Sequence, residues 1–278
     1  MGVAQQCDFY RLQELTESDI DLITRIAING TKNTLLKEAN AGWIHSFQMV
    51  FKIKANFEKH GIKNAEIEKF IDEAINNIEE DLHSHIETES APHLESLKTR
   101  DASLFHDDEK YMEFCHFLAI QYLRTNKIKK NLVRNIGDLA GGYIERALGV
   151  IRHIYATNLA WSIYAKKHGD NFKPTLLLNN SSRSFIAGDQ PIINTHAVKS
   201  GYAEIVDDVE FYYPISPNTS LIISKDYFCG TDDQVETNEE QADYFNNLIA
   251  ASAEEQIFGR EETDLEPYIH KITQNAQA

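Results

Sequence analysis

Ser184-Phe185-Ile186-Ala187-Gly188-Asp189-Gln190-Pro191-Ile192-Ile193-Asn194, with Phe211-Tyr212-Tyr213-Pro214-Ile215-Ser216-Pro217 downstream, is the stretch on which the fold reading turns. A short apolar run enters a Gly-Asp-Gln-Pro turn, and a second, aromatic run ends in Pro-x-Ser-Pro. Short β-branched and aromatic runs bounded by Gly, Pro, Asn and Ser read as strands. Thr175–Leu178, Ser184–Ala187, Glu210–Tyr213 and Ser220–Ser224 form such a set, beginning after Phe172-Lys173-Pro174.

Upstream the periodicity is that of helices. Thr16-Glu17-Ser18-Asp19 is a start signal, and Ile20, Ile23 and Ala27 recur at helical spacing until Asn29-Gly30. Leu36, Trp43, Phe47, Val50 and Phe51 mark a second helix ending at Gly61. Ile67, Phe70, Ile71, Ala74, Ile75, Ile78, Leu82 and Ile86 mark a third that Asn64 opens, with Pro92 expected in the connection after it. Asp107 or Asp108 starts a helix carrying Phe114, Phe117, Leu118 and Leu123. Lys127 to His168 is helical again, with Gly137, Gly141 and Gly142 as sites of a kink or close packing and Gly169 as the stop. Thr237-Asn238-Glu239-Glu240 opens a helix expected to reach Phe258, and Asp264 to Ala278 adds a short one. The fold class is therefore α+β. Residues 1–170 are expected to be a helical region and 171–278 a small mixed or antiparallel sheet with a C-terminal helix, packed as one unit.

The chain has 278 residues, 42% of them hydrophobic and 25% charged, enough for a substantial core. Its net charge of −16 opposes a phosphate backbone, so duplex nucleic acid is not an expected partner. Lys127, Lys129, Lys130 and Arg134 form the one dense basic cluster, read as a solvated helix face. Three scattered cysteines, Cys7, Cys115 and Cys229, do not make a disulfide framework and fit a reducing cytoplasm. The opening residues have no secretory pattern, and Arg152, His153 and Asn158 interrupt the most apolar helix, Ala147 to Ala165, so no membrane span is expected.

Three segments together resemble a bacterial family known only as a domain of unknown function, number 4238. They are Phe114 to Thr125, with its Gln-x-x-Arg-Thr end; Phe185 to Pro191; and Tyr213 to Pro217 with Leu221 to Ile223, Tyr244 to Asn247 and Gln256 to Phe258. Asp8-Phe9-Tyr10 also fits, so the similarity runs over nearly the whole chain. The family's usual His-Tyr-Val-Pro-like opening has no counterpart before Cys7; if its chemistry needs that histidine, this chain lacks the activity. The resemblance implies no reaction.

The candidate site is a polar pocket of Gln121, Arg124, Asp189, Gln190 and Asn194. Gln121 and Arg124 share a helix face, and Arg124 can clamp an oxyanion or pair with Asp189. Asp189 can serve a cation, a base or a ligand hydroxyl, or simply cap its own turn. This supports either a hydrolase or nuclease in a host-defence setting, or a non-enzymatic module binding a small molecule or protein. No nucleophile elbow, phosphate loop, dinucleotide fingerprint or zinc-protease helix is present, so no cofactor is named. Two acid-x-x-His pairs, Glu80 with His83 and Glu113 with His116, match metal-binding spacing in helical bundles. With this many acids and histidines about two such matches arise by chance, so no metal ligand is assigned. His83 and His85 read as exposed histidines, and His153 as a hydrogen-bonded core residue.

Overall fold

Capping chemistry places the helices where the punctuation predicts. In a computed structural model describing residues 11–140, 144–169, 172–201, 209–225 and 233–275, the Thr16 hydroxyl accepts from Asp19 N–H at 3.2 Å. The Asp19 carboxylate in turn accepts from Thr16 N–H at 2.9 Å. This reciprocal pair opens α1 (Glu17–Ile23), which runs on through a π-helical turn over Thr24–Ile28. Asn33 caps α2 (Thr34–Lys59), after which Gly61 takes a left-handed φ of 64° that a side chain would resist. The Asn64 side chain accepts from Glu66 N–H at 2.9 Å and opens α3 (Ala65–Lys98). Pro92 lies inside α3 rather than after it. Proline removes an N–H and crowds the preceding turn, so packing must outweigh that penalty; Ser90 and Leu97, on either side, are both buried.

The chain forms two compact units, Met1–Glu89 with Lys130–Asn158, and Ser90–Lys129 with Leu159–Ala278. Helices α3, α5 (Asn126–Ala140) and α6 (Ile144–Gly169) contribute residues to both. Among its described residues the first unit has helices and no strand, and Ile23, Phe47, Val50, Ile71, Ile75, Val150, Ile151 and Ile154 share its core. Each such side chain contributes about 1.5–3 kcal/mol on full burial. The apolar stripe of α3 is narrower than the sequence pattern: Phe70 is 70% exposed and lies outside the core. Arg146 of α6 holds the buried Asp19 with two hydrogen bonds, at 3.1 and 3.3 Å. Burial pushes the Asp19 carboxyl up, but Arg146 and the Thr16 bonds outweigh it and hold it below the usual carboxylate range.

In the second unit a single 3₁₀ turn, Ser103–His106, precedes α4 (Asp108–Leu123), capped by Asp107. From Phe114 onward no residue of this helix is exposed, and Tyr111, Phe114, Cys115 and Phe117 are at most 3% exposed. Its sheet has the order β3-β4-β5-β1-β6, from β1 (Lys173–Asn179), β3 (Ile193–Asn194), β4 (Phe211–Ser216), β5 (Thr219–Ser224) and β6 (Gln234–Thr237). All pairs are antiparallel except β1 with β6. Tyr212 on β4 stacks on Phe245 at 4.2 Å, fastening the sheet to α8 (Glu239–Ser252), while Tyr213 is half-exposed. The remaining elements are β2 (Ala187–Gly188), α7 (Thr195–Lys199), β7 (Ile257–Phe258), α9 (Glu262–Leu265) and α10 (Ile269–Asn275).

Two boundaries differ from the sequence expectation. Ser184 to Ile186 do not join a ladder. Their backbone is met instead by the Asn246 side chain, whose oxygen accepts from Ile186 N–H at 3.0 Å while its amide donates to Ser184 C=O at 2.8 Å. Helix α8 ends at Ser252, six residues short of Phe258, because Ala253 turns to extended backbone and Ile257-Phe258 pair with β2. Its capping box joins Asn238 and Gln241, one residue beyond Thr237 and Glu240. Among the described residues no helix is long and apolar enough to cross a membrane. Cys7, Asp8-Phe9-Tyr10, Gly141, Gly142 and Cys229 lie outside the described residues.

Candidate functional site

The Gly-Asp-Gln-Pro turn leaves β2 and immediately meets the chain that follows α8. The Asp189 carboxylate accepts from three successive backbone N–H groups, Glu254 at 2.9 Å, Glu255 at 2.6 Å and Gln256 at 3.1 Å. Asp189 N–H returns a bond to Gln256 C=O at 3.0 Å. Lys127 stands beside this knot, its ammonium donating to Ser252 C=O at 2.8 Å. Burial lowers the Lys127 pKa, opposed by the charges of Glu254 and Asp189. Lys127 thus belongs to packing rather than to a solvated face, while Lys130 and Arg134 are exposed.

Gln190, 1% exposed, is engaged at both ends of its amide. Its oxygen accepts from the Thr125 hydroxyl and its nitrogen donates to Ile192 C=O at 2.7 Å. Thr125 follows Arg124, the C-terminal cap of α4, and Gln121 is buried one turn earlier on that helix. The Gln-x-x-Arg-Thr and Asp-Gln-Pro segments therefore meet through Thr125 and Gln190. Asn194 serves a separate junction: its oxygen caps α7 at His196 N–H, 3.2 Å away, and accepts from Glu210 N–H at 3.3 Å. The buried Glu210 carboxylate accepts from the hydroxyls of Thr195, at 2.6 Å, and Ser224, at 2.8 Å. Sequence reasoning missed Thr125 and Glu210; Thr125 was visible only as the last residue of a motif.

A second polar cluster lies in the core of the helical unit. Glu79 and His83 of α3 and His153 and Arg152 of α6 are between 1% and 8% exposed. Arg152 Nη2 donates to Glu79 Oε1 at 2.7 Å. His83 Nε2 stands 3.7 Å from the same oxygen and His153 Nε2 3.9 Å. Burial alone would raise the Glu79 carboxyl; the polar contact with His83 and the electrostatics of Arg152 and the two imidazoles outweigh it and hold it below the ordinary glutamate range. The His153 ring is packed by Trp43 at 4.8 Å and Phe47 at 5.2 Å, and stacks on His83 at 5.5 Å. Trp43 Nε1 donates to Thr157, whose hydroxyl donates to His153 C=O, so the stacking partner is itself anchored.

These positions correct the expectation of an exposed His83 and identify a different acid. Steps of four from Ile71 through Ile75 reach Glu79 and then His83, all buried, whereas Glu80 sits one position round and is exposed. His85 is exposed, as expected. The other acid-x-x-His pair does not converge: Glu113 is 57% exposed and faces His93 at 3.5 Å, and burial lowers the His116 pKa.

Fold and sites together define an α+β protein with a helical unit, a small mixed sheet and motif residues bound into chain junctions. The family model described as a protein of unknown function (DUF4238) matches residues 7–263, and the chain belongs to that family. No curated protein and no solved structure matches it.

Proposed function

We propose that this chain is a non-enzymatic binding module for a protein partner, and that Asp189, Gln190 and Asn194 maintain its fold rather than perform chemistry. The observation that supports this reading is the Asp189 carboxylate, with both oxygens accepting backbone N–H groups. A general base or cation ligand must present a lone pair to the reacting group or ion. Gln190 and Asn194 are likewise engaged at both functional ends or in capping. The net charge of −16 favours a partner with a basic face, through steering and electrostatic complementarity. The buried free thiol of Cys115 accords with a reducing, cytoplasmic setting.

The competing reading is a hydrolase or nuclease acting through Arg124 and Asp189. The test is turnover of single- and double-stranded DNA and RNA, a phosphomonoester and a carboxylic ester, each with Mg²⁺, Mn²⁺ or Zn²⁺. The module reading expects no turnover above that of the Asp189→Asn variant. Turnover that Asp189→Asn or Arg124→Ala abolishes, with melting temperature unchanged, overturns it.

A further inference from the structure

A carboxylate and an imidazole are unusual occupants of positions where α3 otherwise places Ile71 and Ile75, and a second buried imidazole meets them from α6. One ligand atom from each of Glu79, His83 and His153 lies within 4.8 Å of the others. Ligands each about 2.1 Å from a tetrahedral zinc ion stand roughly 3.4 Å apart. The separations of 3.7 and 3.9 Å from Glu79 Oε1 to the two Nε2 atoms need a few tenths of an ångström of closure to reach that spacing, and the side between the two histidines, within 4.8 Å, needs up to about 1.4 Å. We propose that Glu79, His83 and His153 bind one divalent transition-metal ion of the zinc class, joining α3 to α6 within the helical unit.

Three further observations support the site. Two imidazoles and a carboxylate are the donor types such an ion prefers, supplied from facing helices as in metal-binding bundles. Arg152 orients the carboxylate at 2.7 Å, and Trp43, Phe47 and the Thr157 hydroxyl hold the His153 ring and its turn. Arg152 also has Nε and Nη1 buried with no hydrogen-bond partner among the described residues. A buried guanidinium with open donors, sharing an oxygen with the ligand set, calls for a polar occupant close by. A water or hydroxide completing the ion's coordination supplies that acceptor. Gly149 lets α6 pass the ligand, since a Cβ there would stand 3.3 Å from Glu79 Oε2. The guanidinium charge opposes the cation, so moderate affinity is expected. The burial of all three ligands assigns the ion to holding the helices together.

The probe is Co²⁺ added to the full chain after chelator treatment, with Zn²⁺ competition. One equivalent per chain with the visible bands of low-symmetry cobalt, displaced by Zn²⁺, is expected. Zn²⁺ about 100-fold above its Kd should raise the melting temperature by roughly 5–10 °C. His83→Gln and His153→Gln should each weaken binding by at least tenfold, while the exposed His85→Gln leaves it unchanged. Wild-type protein that is folded by circular dichroism yet shows neither bands nor a thermal shift overturns the proposal, whatever the variants do. Binding that survives in the His83→Gln/His153→Gln double variant overturns it too. The outcome is independent of the module reading, which stands or falls on turnover and on Asp189.

Discussion

Replacing Asp189 with Asn removes one charge and turns one acceptor oxygen into an NH₂ donor. Rotation about χ2 lets the carbonyl that remains take the Oδ2 place and keep Glu255 and Gln256, which leaves the Glu254 N–H facing a donor. A hydrogen bond to a charged group is worth about 1.5–3 kcal/mol. That loss, with the two retained bonds weakened by the missing charge, comes to roughly 2–3 kcal/mol. For a chain of this size that lowers the melting temperature by about 4–12 °C. Thermal denaturation measures the total, and native-state hydrogen exchange locates it: the amides of Glu254, Glu255 and Gln256 should lose protection ahead of those in α8. An unchanged melting temperature with unchanged exchange at those three amides refutes the reasoning, because the carboxylate would then not be holding this turn.

Asp19→Asn should cost roughly 2 kcal/mol at neutral pH by loosening the Arg146 pair, which is partly exposed on the arginine side. Because the folded carboxyl is held low, its contribution is present above the ordinary carboxylate range and lost as pH falls through the depressed value, so the variant's melting temperature should converge on wild type in acid. Burial pushes the Cys115 thiol up to about 12, so alkylation followed by peptide mass spectrometry should leave Cys115 unmodified until the protein unfolds. Tyr268 is pushed up to about 12 by burial and its bond to Asp243. Its neutral form is the one folding favours, so stability is intact below pH 10 and declines as pH rises from 10 towards 12; Tyr268→Phe should weaken that decline in an alkaline melting series.

The helices were legible because their signals are local. Thr16, Asn64 and Asp107 announce starts through bonds spanning two or three residues. The strands of the main sheet were legible as apolar runs, except β3 and β6, which are short and depend on their neighbours. What escaped depends on distant partners. Nothing near Ser184 shows that Asn246 will meet its backbone, and nothing near Ser252 shows that Asp189 will end the apolar continuation of α8. In the core, the error lay in reading His83 as an exposed histidine. Following the buried steps of four from Ile71 would have reached Glu79.

The Asn246 side chain works as a stand-in for a neighbouring strand, offering one acceptor and one donor to the same three-residue stretch of backbone. Its second amide hydrogen reaches the Tyr268 hydroxyl at 3.3 Å. Only an amide has that pairing of polarity. Hydrolysis of the side-chain amide to a carboxylate, a change of about one mass unit, would set an oxygen against the Ser184 carbonyl at a fully buried residue. Slow chemical ageing at this one residue is therefore a route by which stored protein would loosen at the 184–186 segment first, while its helical unit stayed intact.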